Sequence, residues 1–182
     1  MRIAVSGSHA TGKSTLIDEL ARRLPSFERV DEPYHQLMEE GHAFADPLGA
    51  DDYELMFQRS VTDIGSRDSG HVLFDRCPAD FLAYLVASHG DRSALGQLAA
   101  TAASALSRLD LIVYLPIEAP DRINDAGIAL PKLRRRVDEL LREMLVEDAW
   151  GFGVRAIEVR GTLDARIARV RQAVMRHTSH DA

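Results

Sequence analysis

Gly7-Ser8-His9-Ala10-Thr11-Gly12-Lys13-Ser14 matches G-x-x-x-x-G-K-[ST] at every fixed position, the pattern of a loop whose backbone cradles phosphate groups. The flanks fit the same reading. Arg2-Ile3-Ala4-Val5-Ser6 is a short apolar run suited to a buried parallel strand. After the loop, Leu16, Ile17, Leu20, Ala21 and Leu24 recur on one face of a helix that opens at Ser14. Strand, turn and helix N-terminus together aim N–H groups and a positive dipole end at one point. Gly7 through Gly12, with Lys13, Ser14 and Thr15, are therefore the expected contacts of ATP. Lys13 would reach the β- and γ-phosphates, and the Ser14 hydroxyl would ligate Mg²⁺. The competing reading is a Gly-bearing turn with a solvated lysine.

Further along, runs suited to strands fall at Arg2–Ser6, Glu28–Glu32, His71–Asp75, Asp110–Leu115 and Val154–Val159. Helical stripes lie between and after them. One runs from Tyr53 through Met56, Phe57, Ser60 and Val61 to Ile64, and a second from Leu95 to Leu106. A third runs from Leu133 to Leu145, with Pro131 near its first turn, and a last one carries Leu163, Ile167, Val170 and Val174. Strands alternating with helices predict an α/β three-layer sandwich: a five-stranded parallel sheet with helices on both faces and ligands at the carboxyl ends of the strands. The expected organisation is a single domain over residues 1–176, with a frayed tail at 177–182.

The chain has 182 residues, 46% hydrophobic and 27% charged, with a net charge of −6. That balance argues against nucleic acid and anionic membranes as partners. The single cysteine, Cys77, excludes an intrachain disulfide and suits a reducing cytoplasm. No run approaches the roughly 18 consecutive apolar residues of a membrane span. The first strand leaves no room for a signal peptide, so a cytoplasmic protein acting on a small-molecule acceptor is expected. A homodimer is left open.

The strand-end rule selects among the charges. The second strand ends in Asp31-Glu32-Pro33 and the third in Phe74-Asp75-Arg76-Cys77-Pro78. A carboxylate placed there can hold Mg²⁺ or accept a proton from an attacking hydroxyl. An arginine beside it can neutralise charge on a transferred phosphoryl group. The alternative makes Glu32 a solvated turn acid and Asp75–Arg76 a surface ion pair.

Lys132-Leu133-Arg134-Arg135-Arg136 opens a helix, where each cation is unfavourable by about 0.3–1 kcal/mol. Clustered arginines are explained if an anion visits them. Residues 121–136, with Arg122, Arg134 and Arg135, read as a lid that closes over ATP phosphates and supplies transition-state charge. The alternative is a solvated basic face partnered by Asp138, Glu139 and Glu143.

With these motifs assembled, the chain resembles P-loop kinases of the nucleoside and nucleoside-monophosphate kinase superfamily over nearly its whole length. It is similar to deoxynucleoside kinases in Glu32-Pro33, to thymidylate kinases in Asp75-Arg76, and to small bacterial ATP-binding kinases of the AAA type. The resemblance implies Glu32 as the base, Asp75 as a metal-shell carboxylate, Arg76 as a clamp on acceptor or phosphate, and Gln58 as a base-reading amide. Tyr34, Tyr53 and Phe57 could offer ring faces to a nucleobase; for Tyr53 and Phe57, which fit the helix's apolar stripe, filling the core is the equal alternative. Two departures bear on the acceptor. Asp75 stands where deoxynucleoside kinases commonly have Glu, and Tyr34 follows Glu32-Pro33 where an aliphatic residue is usual. The expected activity is ATP- and Mg²⁺-dependent phosphoryl transfer to a small acceptor. The other function class is a nucleotide-binding switch or accessory ATPase acting on a protein partner.

Overall fold

The computed structural model describes residues 1–67, 70–89, 95–119 and 131–178. The strands β1 (Arg2–Ser6), β2 (Phe27–Val30), β3 (His71–Asp75), β4 (Leu111–Tyr114) and β5 (Ala156–Glu158) form one parallel sheet in the order β2-β3-β1-β4-β5. The helices are α1 (Lys13–Arg23), α2 (Pro33–Glu39), α3 (Ala50–Gly65), α4 (Pro78–His89), α5 (Gly96–Leu106), α6 (Pro131–Leu145) and α7 (Leu163–Thr178).

Alternation along the strands sorts side chains onto the two faces. Ile3, Val5, Leu73, Leu111 and Val113 pack with Leu16, Ile17 and Leu20 of α1 and with Ile167 and Val170 of α7. Ala4, Val72, Phe74, Ile112 and Tyr114 face the other way, onto α3, α4 and α6. Both faces are covered, so the inner strands β1, β3 and β4 are near-continuous apolar runs, whereas the edge strand β2 carries exposed Glu28 and Arg29. This is the three-layer P-loop arrangement expected from the sequence.

Register sets what meets at the sheet's edge. Ala4 lies beside Phe74, and Val30 pairs with Phe74 from the other side. Asp75, ending β3, pairs with Val5, so Asp75 and the residues that follow the strands, Gly7 after β1, Arg76 after β3 and Glu32 after β2, emerge near one level.

β2 stops at Val30 rather than Glu32, because Glu32 takes the N-cap position of α2 with Pro33 at the first helical turn. The last helix runs on to Thr178, with His177 Nδ1 3.1 Å from Arg155 Nη1. The helix thus includes residues 177 and 178 of the expected tail, and residues 179–182 lie outside the described residues. Among the described residues, no helix is long and apolar enough to cross a membrane.

Two helices escape the periodicity reading. α2 has only 7 residues. α4 is buried from Pro78 through Val86 and so has no polar face to create a stripe.

Candidate active site

The phosphate loop is fixed by backbone geometry before any ligand arrives. A Cβ on Gly7 would lie 2.5 Å from the Leu115 carbonyl oxygen, so the first loop position admits only glycine. Gly12 caps α1 in the left-handed region at φ 86°, where glycine alone is unstrained. Four successive carbonyls are then held by side chains. Lys13 Nζ donates to Ser8 O at 2.7 Å, and Thr11 Oγ1 donates to the same oxygen at 3.0 Å. Arg134 donates from Nε to His9 O at 2.9 Å and from Nη2 to Ala10 O at 3.0 Å. Arg166 Nη1 reaches Thr11 O at 2.8 Å, and its Nη2 pairs with Glu118 Oε1 at 2.9 Å. A loop tied at this many points has little reorganisation left when phosphate binds.

This placement corrects part of the lid reading. Arg134 shares the buried stripe of α6 with Val137 and Leu141 and uses its donors on the loop backbone, so it anchors the loop rather than reaching across it. Arg135, one residue round the helix, is exposed. Arg136 pairs with Glu139 at 3.0 Å and Glu143 at 3.5 Å. Arg122 and the rest of the expected lid to residue 130 lie outside the described residues.

Beside the loop, Glu32, Asp75 and Arg76 converge. Arg76 adopts φ 76°, strained for a non-glycine residue. Its N–H continues the sheet pairing by donating to Val5 O at 3.0 Å. From there Nε donates to Glu32 Oε1 at 2.5 Å and Nη1 to Gly7 O at 3.0 Å. Burial raises the Glu32 pKa, but the Arg76 and Lys13 charges outweigh it and hold the carboxyl below its ordinary range. Asp75 goes the other way: burial, then the Glu32 charge, push it up to about 6. Lys13, buried and beside Arg76, is pushed down to about 8. Two neighbouring carboxyls shifted in opposite directions, beside a lysine lowered by burial, mark this cluster as a functional-site candidate.

The Asp75 Oδ1 atom is buried without a hydrogen-bond partner among the described residues. A carboxylate oxygen left so, at the end of β3 beside the strand that leads into the phosphate loop, fits a hard cation taken up together with phosphate oxygens. Such a carboxylate burdens the metal-free fold. With its folded pKa above the unfolded value, its contribution to stability is whole below about 4 and is lost as pH rises through about 6. Asp75→Asn is expected to raise the Tm of metal-free protein by a few degrees at pH 8, since about 1 kcal/mol moves Tm by about 2–4 °C at this size. It should leave Tm unchanged near pH 4. Thermal melts in a chelator at the two pH values check this.

The expected acceptor residues divide. Tyr34 is half-buried and stacks on Phe44 with centroids 4.6 Å apart. Tyr53 stacks on Tyr84 at 4.8 Å, and the Tyr84 hydroxyl accepts the His9 N–H at 3.2 Å, so α3 touches the phosphate loop through this pair. Phe57 is fully buried and fills the core, leaving no ring face for a base. Gln58 lies on the exposed stripe of α3 with Asp51, Glu54 and Thr62, opposite the helix's core face. Neither Phe57 nor Gln58 joins the cluster.

The sequence reading misses Tyr84, Arg166 and Asp80. Asp80 alone left a signal, as an acid immediately before the mostly apolar stretch from Phe81 to Val86.

A family model described as an AAA domain matches residues 2–166. No curated protein matches the chain. Among solved structures, it is similar to deoxyadenosine kinase from M. mycoides with bound dATP, at 15% identity and TM-score 0.65 over 96% of this chain and 98% of that one. It is also similar to thymidylate kinase from Candida albicans, at 19% identity and TM-score 0.64 over 98% and 92%. NadR in complex with NAD and AMP-PNP matches at 24% identity and TM-score 0.70 over 97% of this chain and 49% of that one, so the chain spans about half of NadR. At these identities the likeness is one of fold, that of P-loop nucleoside and nucleotide kinases. The family match is more direct, running from the first strand into the last helix: the chain belongs to the AAA domain family.

Proposed function

We propose that the protein is an ATP- and Mg²⁺-dependent kinase that phosphorylates a small acceptor, a nucleoside or nucleoside monophosphate, with the nucleoside favoured. One observation carries this reading. A carboxylate held in its ionised form, Glu32, is fixed by Arg76 to the first residue of a phosphate loop, at 2.5 Å and 3.0 Å respectively. An acceptor hydroxyl lying between Glu32 and the loop would lose its proton to Glu32 as its oxygen attacks the γ-phosphorus of ATP. Lys13 would steady the charge on the phosphates being separated. Ser14 and Asp75 would hold Mg²⁺, which neutralises phosphate charge.

Arg76 supports a hydroxyl over a phosphate acceptor. A phosphate monoester pairs best with a free guanidinium fork, whereas Arg76 has Nε on Glu32 and Nη1 on Gly7 and Asp80. The dATP bound by deoxyadenosine kinase and the AMP-PNP bound by NadR support a nucleoside triphosphate as the donor.

The test is a screen of nucleosides, nucleoside monophosphates and pyridine ribosides for stimulated ADP release. Stimulation by a nucleoside or riboside is the expected result. Stimulation by monophosphates alone would move the acceptor to phosphate. Stimulation only by a sugar or another hydroxyl metabolite would overturn the nucleoside assignment.

A further inference from the structure

Asp80 lies in the first turn of α4, is fully buried, and has no part in the reaction above. Its two oxygens do different work. Oδ2 accepts the Cys77 N–H at 3.0 Å, which caps the start of α4 in the way an acid at the third helical position does. Oδ1 is turned to the phosphate loop, where it accepts the Gly7 N–H at 3.0 Å and Arg76 Nη1 at 3.2 Å. Arg76 Nη1 also donates to the Gly7 carbonyl at 3.0 Å. One buried ion pair therefore holds both backbone polar groups of Gly7, the N–H through Asp80 and the carbonyl through Arg76.

Capping alone explains Oδ2 and leaves Oδ1 without a reason. Burying a carboxylate is costly unless it is paired and its lone pairs are filled, and here the partners that fill Oδ1 are the two halves of the site. The same Arg76 holds Glu32. We propose that Asp80 is a positioning residue whose Oδ1 locks Gly7 to Arg76, so that the phosphate loop and the Glu32–Arg76 pair keep a fixed separation. This rests on reading the loop as a nucleotide site, and the loss of Asp80 should then be felt in nucleotide binding although Asp80 touches no nucleotide.

Binding of Mg²⁺ with AMP-PNP, measured by calorimetry well below Tm, tests it. Asp80→Asn removes the charge, and loss of a charge-assisted hydrogen bond predicts affinity weakened about tenfold. Leu82→Ala, on the same helix and fully buried, lowers Tm without touching the loop and should keep wild-type affinity. Equal affinity in wild type and Asp80→Asn, or equal loss in both variants, would overturn the proposal while leaving the nucleotide site standing. Absence of binding to the wild-type protein would overturn both. Amide hydrogen exchange on the wild-type protein decides the matter even if Asp80→Asn does not fold. A Gly7 N–H protected well beyond that of Ser8 supports the lock, and exchange at the same rate as Ser8 overturns it.

Discussion

Lys13→Ala is expected to lower the rate of phosphoryl transfer by about 10²–10³, the usual cost of removing one electrostatic contact to a transition state. The fold should survive. Lys13 is buried, but among the described residues its Nζ donates only to Ser8 O, and burial already pushes its pKa down to about 8, so the charged form is a burden on the nucleotide-free fold. The sign is clear: a lysine with a depressed folded pKa costs stability below that pKa, and the cost fades as pH rises from about 8 towards the unfolded value. Alanine removes the burden along with the activity. Steady-state kinetics with a thermal melt at pH 7 check both halves. Nucleotide affinity in the wild-type protein should also weaken as pH climbs past about 8, where Lys13 loses its proton. Lys13→Ala should remove that dependence.

Glu32→Gln is expected to depress kcat by about 10²–10⁴, the range of a lost general base, with little change in KM for ATP. The amide keeps the shape, and its oxygen can still accept from Arg76, but it cannot take a proton from the acceptor. The size of the loss also reports the acceptor's chemistry. A monophosphate oxygen is already ionised and needs no base, so a drop of only a few-fold would point to a phosphate acceptor.

How much of this was legible in the sequence depends on how narrowly each position is constrained. The first strand, loop and helix could be read because their backbone demands are strict: Gly7 has a carbonyl 2.5 Å from where a Cβ would stand, and Gly12 sits in the left-handed region. Glu32 and Asp75 were found because parallel register brings strand ends to one level, a rule that needs only the strands. The resemblance to P-loop kinases added roles that spacing could not give. α4 stayed hidden because a helix buried on every side has no period, and Asp80 and Tyr84 stayed hidden with it. Phe57 and Gln58 are neighbours on α3 that face core and solvent respectively. Periodicity marks the stripe but not which neighbour lies beyond it. Arg134 stands out in the sequence as an arginine out of place at a helix start, which the lid reading explains by a visiting anion. In the fold it donates to the neutral carbonyls of His9 and Ala10, a destination only the folded chain reveals.

The central claim is that this site transfers a phosphoryl group from ATP to a small molecule instead of to water or to a partner protein. Phosphorus NMR of the wild-type protein with Mg²⁺, ATP and the nucleoside panel reads the product directly. The account predicts a new phosphomonoester resonance growing with ADP in equal amount, lost in Lys13→Ala and strongly reduced in Glu32→Gln. ADP accompanied only by inorganic phosphate, at a rate indifferent to every acceptor, would contradict it.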